Sequence, residues 1–125
     1  MANRNFNPVL APESEVKLMT GSFTGANGAN PAASSCVGVV QSATRTGEGV
    51  WTLVLRDKFP TGARLFAAAT VQGADADRAF VAAYSPTAGT ATIEAYTVAD
   101  AADDCDGKVI ELLLVVRNPT SRRGN

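Results

Sequence analysis

The 125-residue chain contains no histidine. That removes the commonest general base and the commonest metal ligand at once. A serine or cysteine nucleophile would then need lysine or a carboxylate as its base. Lys17, Lys58 and Lys108 show no Ser-x-x-Lys spacing, so that route has no support. A phosphate-binding loop ending in Gly107-Lys108 would need glycine at position 102, which is alanine. No enzymatic activity and no cofactor are expected.

One acidic segment invites a metal: Asp100-Ala-Ala-Asp103-Asp104-Cys105-Asp106-Gly107. Registering Gly107 on the glycine of an EF-hand loop puts Ala102 at the first ligand and Leu113 at the bidentate glutamate. The motif fails at both ends. A solvated turn whose aspartates bond local backbone amides is the expectation, with a looser calcium site between strands as the alternative. Cys36 and Cys105 form no metal-ligand spacing and are too few for a disulfide framework. They read as small half-buried hydrophobes that would pair only if the fold joined them.

Eleven basic residues against twelve acidic ones leave a formal charge of −1, without the excess of a nucleic-acid binder. Arg4, Arg122 and Arg123 lie near the ends and suit an acidic protein surface better than a phosphate backbone. Trp51 and Tyr96 could stack on a sugar, but a lone tryptophan in a β-protein is more often core. The longest apolar stretch, Val109 to Val116, is broken by Glu111 and too short to span a bilayer. Met1 to Asn7 is rich in asparagine and shows no secretory pattern, so a soluble protein made in a cytoplasm is expected.

The chain has room for one domain, and 46% hydrophobic residues place it in the globular range. Residues 1–12 read as an N-terminal arm, 13–118 as the domain, and 119–125 as a flexible C-terminal tail. Within the domain, β-type runs alternate with turn chemistry. They are Glu15–Phe23, Cys36–Thr44, Val50–Arg56, Arg64–Gln72, Ala79–Tyr84, Thr90–Val98 and Lys108–Arg117. Thr24 to Ser35 is a loop by composition. The pattern predicts an all-β fold: a single antiparallel β-sandwich or small jelly-roll-like barrel of about seven strands, with extended arms at both ends.

Three placements sharpen that picture. In the first run Val16, Leu18 and Phe23 are expected to face the core. Arg45 to Gly49 reads as a hairpin turn, with Gly47 and Gly49 supplying positive φ. Beyond it, alternation puts Trp51 on the inward face with Leu53 and Leu55. The final run is apolar on both faces, Ile110, Leu112, Leu114 and Val116 on one and Val109, Leu113 and Val115 on the other. Such a strand is doubly covered or buried at a subunit contact, so a homo-oligomer is expected.

The stretch Val39 to Pro60 is the most distinctive. Its Arg45-Thr46-Gly47 turn, Gly49-Val50-Trp51-Thr52-Leu53 and closing Asp57-Lys58-Phe59-Pro60 resemble a segment of small structural proteins of tailed bacteriophages. Asp106-Gly107 and Ile110 to Asn118 extend the similarity, while residues 1–35 fall outside it. The resemblance is to capsid decoration, or cement, proteins. It implies a non-enzymatic virion protein, made in the host bacterial cytoplasm, that binds the major capsid protein on the outer capsid surface as a homo-oligomer. A trimer is favoured over a dimer because icosahedral shells offer threefold sites. Arg4, Asn5, Phe6, Asn7, Arg122 and Arg123 are the capsid-contact candidates. The alternative is a head-fibre or tail-fibre module that binds host glycans. Neither reading calls for nucleic acid or a membrane.

Overall fold

In the computed structural model, the structure describes residues 15–59, 63–73 and 77–118. Eight strands are found there: β1 (Glu15–Thr24), β2 (Val37–Gly38), β3 (Val40–Gly47), β4 (Val50–Leu55), β5 (Arg64–Val71), β6 (Arg78–Ser85), β7 (Thr90–Tyr96) and β8 (Val109–Asn118). They form two antiparallel sheets, ordered β2-β1-β8-β5 and β3-β4-β7-β6. The sheets stack as a sandwich and do not close into a barrel. A turn of 3-10 helix (Ala33–Ser35) is the helical element among the described residues.

Alternation along the strands builds the interior. Trp51 and Leu53 from β4, Ile93 from β7, Phe23 from β1 and Ile110 and Leu114 from β8 have no exposed surface. Phe23 meets Trp51 edge to face, with ring centroids 5.4 Å apart. Trp51 lies inward with Leu53 and Leu55, as the alternation requires.

Other expectations need correction. The run Cys36–Thr44 is not one strand, because the chain changes sheet at Val39. The Val39 N–H donates to the Thr20 carbonyl of one sheet, and its carbonyl accepts from the Arg56 N–H beside the other. Gly38 makes this step at φ 65°, where a Cβ would lie 2.3 Å from the Thr20 carbonyl oxygen. That split raises the strand number from seven to eight. The β3–β4 turn is also tighter than expected. Arg45 pairs with Trp51 and Gly47 with Val50, leaving Glu48 and Gly49 at the tip, and positive φ falls on Gly49 and not on Gly47.

The largest correction concerns β1. Val16 and Leu18 point out of the sandwich, and Met19, Gly21 and Phe23 point in. Gly21 explains the choice, since a Cβ there would lie 2.8 Å from the Val37 carbonyl oxygen and the Val39 nitrogen. The close approach that carries the chain between sheets needs glycine on the inner face, and one register step turns every other side chain with it.

Candidate functional site

Among the described residues, the outer face of the β2-β1-β8-β5 sheet gathers several exposed apolar side chains. Strand register sets four rows across β1, β8 and β5: Val16–Arg117–Arg64, Leu18–Val115–Phe66, Thr20–Leu113–Ala68 and Ser22–Glu111–Thr70. Residues opposite one another share a face, and β8 turns Ile110, Leu112, Leu114 and Val116 inward. The four rows therefore lie on the outer face, where Ser22, beside β2, is nonetheless buried. Leu18 is 66% exposed, Phe66 63% and Val16 57%, with Val115 and Leu113 half-buried between them. Val37 of β2 adds a further exposed apolar side chain beside Ser22. Apolar side chains gathered on one face mark a contact surface more often than scattered ones do.

Charge bounds this patch at both ends. Arg64 and Arg117 sit directly opposite each other on neighbouring strands. Like charges so placed repel. Glu111 stands at the other end of the same face, and among the described residues none of the three has an ion-pair partner.

The acidic segment before β8 ties loops together, contrary to the expected solvated turn. Asp104 is buried and accepts from the backbone N–H groups of Gly28 (2.9 Å) and Gly49 (2.8 Å) and from Arg45 Nε (2.9 Å). The Arg45 hydrogen bond, opposed by burial and aided by the two backbone donors, holds its carboxyl down to about 2. One side chain thereby joins the loop after β1 and the β3–β4 turn to the entrance of β8. Asp106 accepts from the Asn27 N–H at 3.1 Å, and only Asp103 bonds locally, to the Cys105 N–H.

Asp77, Asp103 and Cys105 bring their oxygen and sulfur atoms within 4.8 Å of one another. The Lys108 ammonium already sits 2.5 Å from Asp77 and lowers its carboxyl, supplying the positive charge this cluster calls for. Burial, with the neighbouring carboxylates, pushes the Cys105 thiol up to about 11. Cys36 and Cys105 are both buried and both free.

The other sheet carries a shallow cleft of about 640 Å³ lined by Arg78, Ala79, Phe80, Tyr96 and Asp100. Phe80 and Tyr96 stack with centroids 5.8 Å apart and planes 11° from parallel. The Tyr96 hydroxyl donates to Glu94 at 2.8 Å, and Arg78 pairs with Asp100. Any sugar-stacking role falls to this pair of rings, since Trp51 is sealed in the core.

The sequence-derived contact candidates Arg4, Asn5, Phe6, Asn7, Arg122 and Arg123 lie outside the described residues. Leu18 and Phe66 were not singled out by sequence reasoning as surface groups. Phe66 carried a signal, because it falls on the face opposite Ala67, Ala69 and Val71 in β5. Leu18 carried none. Among the described residues, no helix is long and apolar enough to cross a membrane. The fold is a two-sheet antiparallel sandwich whose β2-β1-β8-β5 outer face carries Val16, Leu18 and Phe66 exposed. No family model, curated protein or solved structure matches the chain.

Proposed function

We propose that the protein is a structural component of a bacteriophage particle, a decoration or cement protein that binds the outer surface of the capsid and stabilises the shell. It acts by contact and not by catalysis. The observation that supports this reading is the apolar outer face of the β1–β8–β5 rows, rimmed by charge, on a sandwich whose glycines and buried Asp104 lock its loops. A sandwich with exposed apolar side chains on one sheet face suits a protein whose task is to be one of many copies in an assembly. Many weak contacts, each bridging shell subunits, add resistance to internal pressure through multivalency. The resemblance of Val39 to Pro60 to phage structural proteins points the same way. In this reading the partners are the major capsid protein and other copies of the chain, and neither nucleic acid nor membrane takes part.

The test is the position of the protein in purified particles. Density distributed over the icosahedral shell, with particles that lose heat resistance when the protein is stripped and regain it on re-addition, supports the proposal. Density confined to one vertex, or particles indifferent to its removal, rejects it in favour of a fibre or tail component.

A further inference from the structure

We infer that the apolar outer face of the β2-β1-β8-β5 sheet is covered by the same face of a second copy, in a two-fold dimer whose β8 strands run antiparallel. The inference rests on reading this face as a protein contact, and it does not depend on which particle carries the protein. Three features of the face select this partner and this orientation.

The first is charge. Arg117 and Glu111 lie six positions apart on β8 and are centred on Leu114. At the spacing of an extended strand they are separated by about 20 Å. A two-fold axis lying in the interface at the level of Leu114, across the strands, brings Arg117 of each copy over Glu111 of the other. It also relieves the repulsion between Arg64 and Arg117, which have no ion-pair partner among the described residues. An axis along the strands would instead set Arg117 on Arg117 and Glu111 on Glu111.

The second feature is size. Across the same axis, the Leu18–Val115–Phe66 row meets the Thr20–Leu113–Ala68 row of the other copy. Phe66 falls over Ala68, and Leu18 over Thr20. Large side chains thus meet small ones at both edges, as interdigitating sheet faces require. Rotation about the strand direction would set Phe66 against Leu18, bulk against bulk.

The third is geometry. Stacked twisted sheets cross at about 30°. At about 10 Å from the axis, along a strand rising about 3.4 Å per residue, that crossing displaces the end rows by about 5 Å. An arginine side chain can span such a shift. The contact is isologous and closes with two copies, so this face generates a pair and not the trimer that shell symmetry alone would favour. The face is only three main strands wide, so the interface is small, and such interfaces are weak, with Kd on the order of 10 µM.

Sedimentation equilibrium of the full chain, over about 1–300 µM, tests this without any shell. A monomer–dimer equilibrium is expected. Phe66→Arg and Leu18→Arg should each weaken it at least ~10-fold, with melting curves confirming that these exposed positions leave the fold intact. Glu111→Arg alone and Arg117→Glu alone should each weaken it by roughly 5–10-fold, while the double variant should return to within about threefold of the parent. A monomer across the whole range, indifference to Phe66→Arg, or no recovery in the double variant overturns the inference. So does a chain lacking residues 1–14 that dimerises where the full chain does not, because the N-terminal segment would then be the occupant. Particle localisation fails or succeeds independently of all these outcomes.

Discussion

The outer faces of the two sheets differ in what they leave exposed. On β3-β4-β7-β6, a row of Thr44, Thr52 and Thr92 crosses the middle of the sheet, with Glu94 opposite Val50 beside it. On β2-β1-β8-β5, the corresponding middle row is Leu18, Val115 and Phe66. Threonine satisfies the β-branched preference of a strand while offering water a hydroxyl. Leucine and phenylalanine in the same place offer water nothing, and at 66% and 63% they are more exposed than Val54 (40%) and Phe80 (45%) of the other sheet. Both sheets bury an apolar inner face, so their outer faces can differ without altering that packing. It separates side chains that fill the sandwich from side chains that do not.

That separation is broken most severely by removing interior bulk. Trp51→Ala should cost roughly 3–5 kcal/mol in denaturant unfolding, because the indole is fully buried and packs edge to face against Phe23. If the loss were only a few tenths of that, the indole would not be the main space-filler of the core. Asp104→Ala comes next, at about 2–3 kcal/mol, since Gly28, Gly49 and Arg45 all lose their acceptor together. Loosening of both loops should accompany it, seen as faster amide exchange at Gly28 and Gly49.

The same carboxylate gives the comparison a pH axis. Its folded pKa of about 2 lies below the value of about 3.9 for an unfolded aspartate. Its contribution is therefore complete above about pH 4 and disappears as the pH falls toward 2. Asp77, held down first by Lys108, adds to the loss in the same direction. Stability measured from pH 5 to pH 2 should fall more steeply in the parent than in Asp104→Asn. Parallel curves would show that Asp104 carries no linkage.

At the small end stand the surface and the thiols. Phe66→Ser should change monomer unfolding by no more than about 0.5 kcal/mol while weakening self-association. A large loss of monomer stability would instead make Phe66 part of the core. Cys36 and Cys105 should resist a thiol reagent near pH 8 until the chain unfolds, because both are buried and the Cys105 thiol sits near 11. Rapid labelling of the native protein would show that the loop around Asp104 opens readily.

Much of the architecture was legible in the chain itself. The period of two in Val50–Leu55 and in Thr90–Tyr96 placed Trp51, Leu53 and Ile93 inward without any knowledge of the partner sheet. Turn chemistry separated the strands, and the two-sided apolar pattern of β8 fits the central place it takes between β1 and β5. These features are local, since backbone alternation and turn preference act over a few residues and leave their mark in order along the chain. Tertiary structure alone decided which face of β1 turns inward, because Val16 and Leu18 are as apolar as Met19 and Phe23. Steric room for Gly21 against the crossing segment settled it. It alone decided that Asp104 is a buried hub, for its partners lie 76, 55 and 59 positions away. And it alone lined up Leu18, Val115 and Phe66 from three separate strands, because register between distant strands is set by the packing of the whole core and not by any stretch within it.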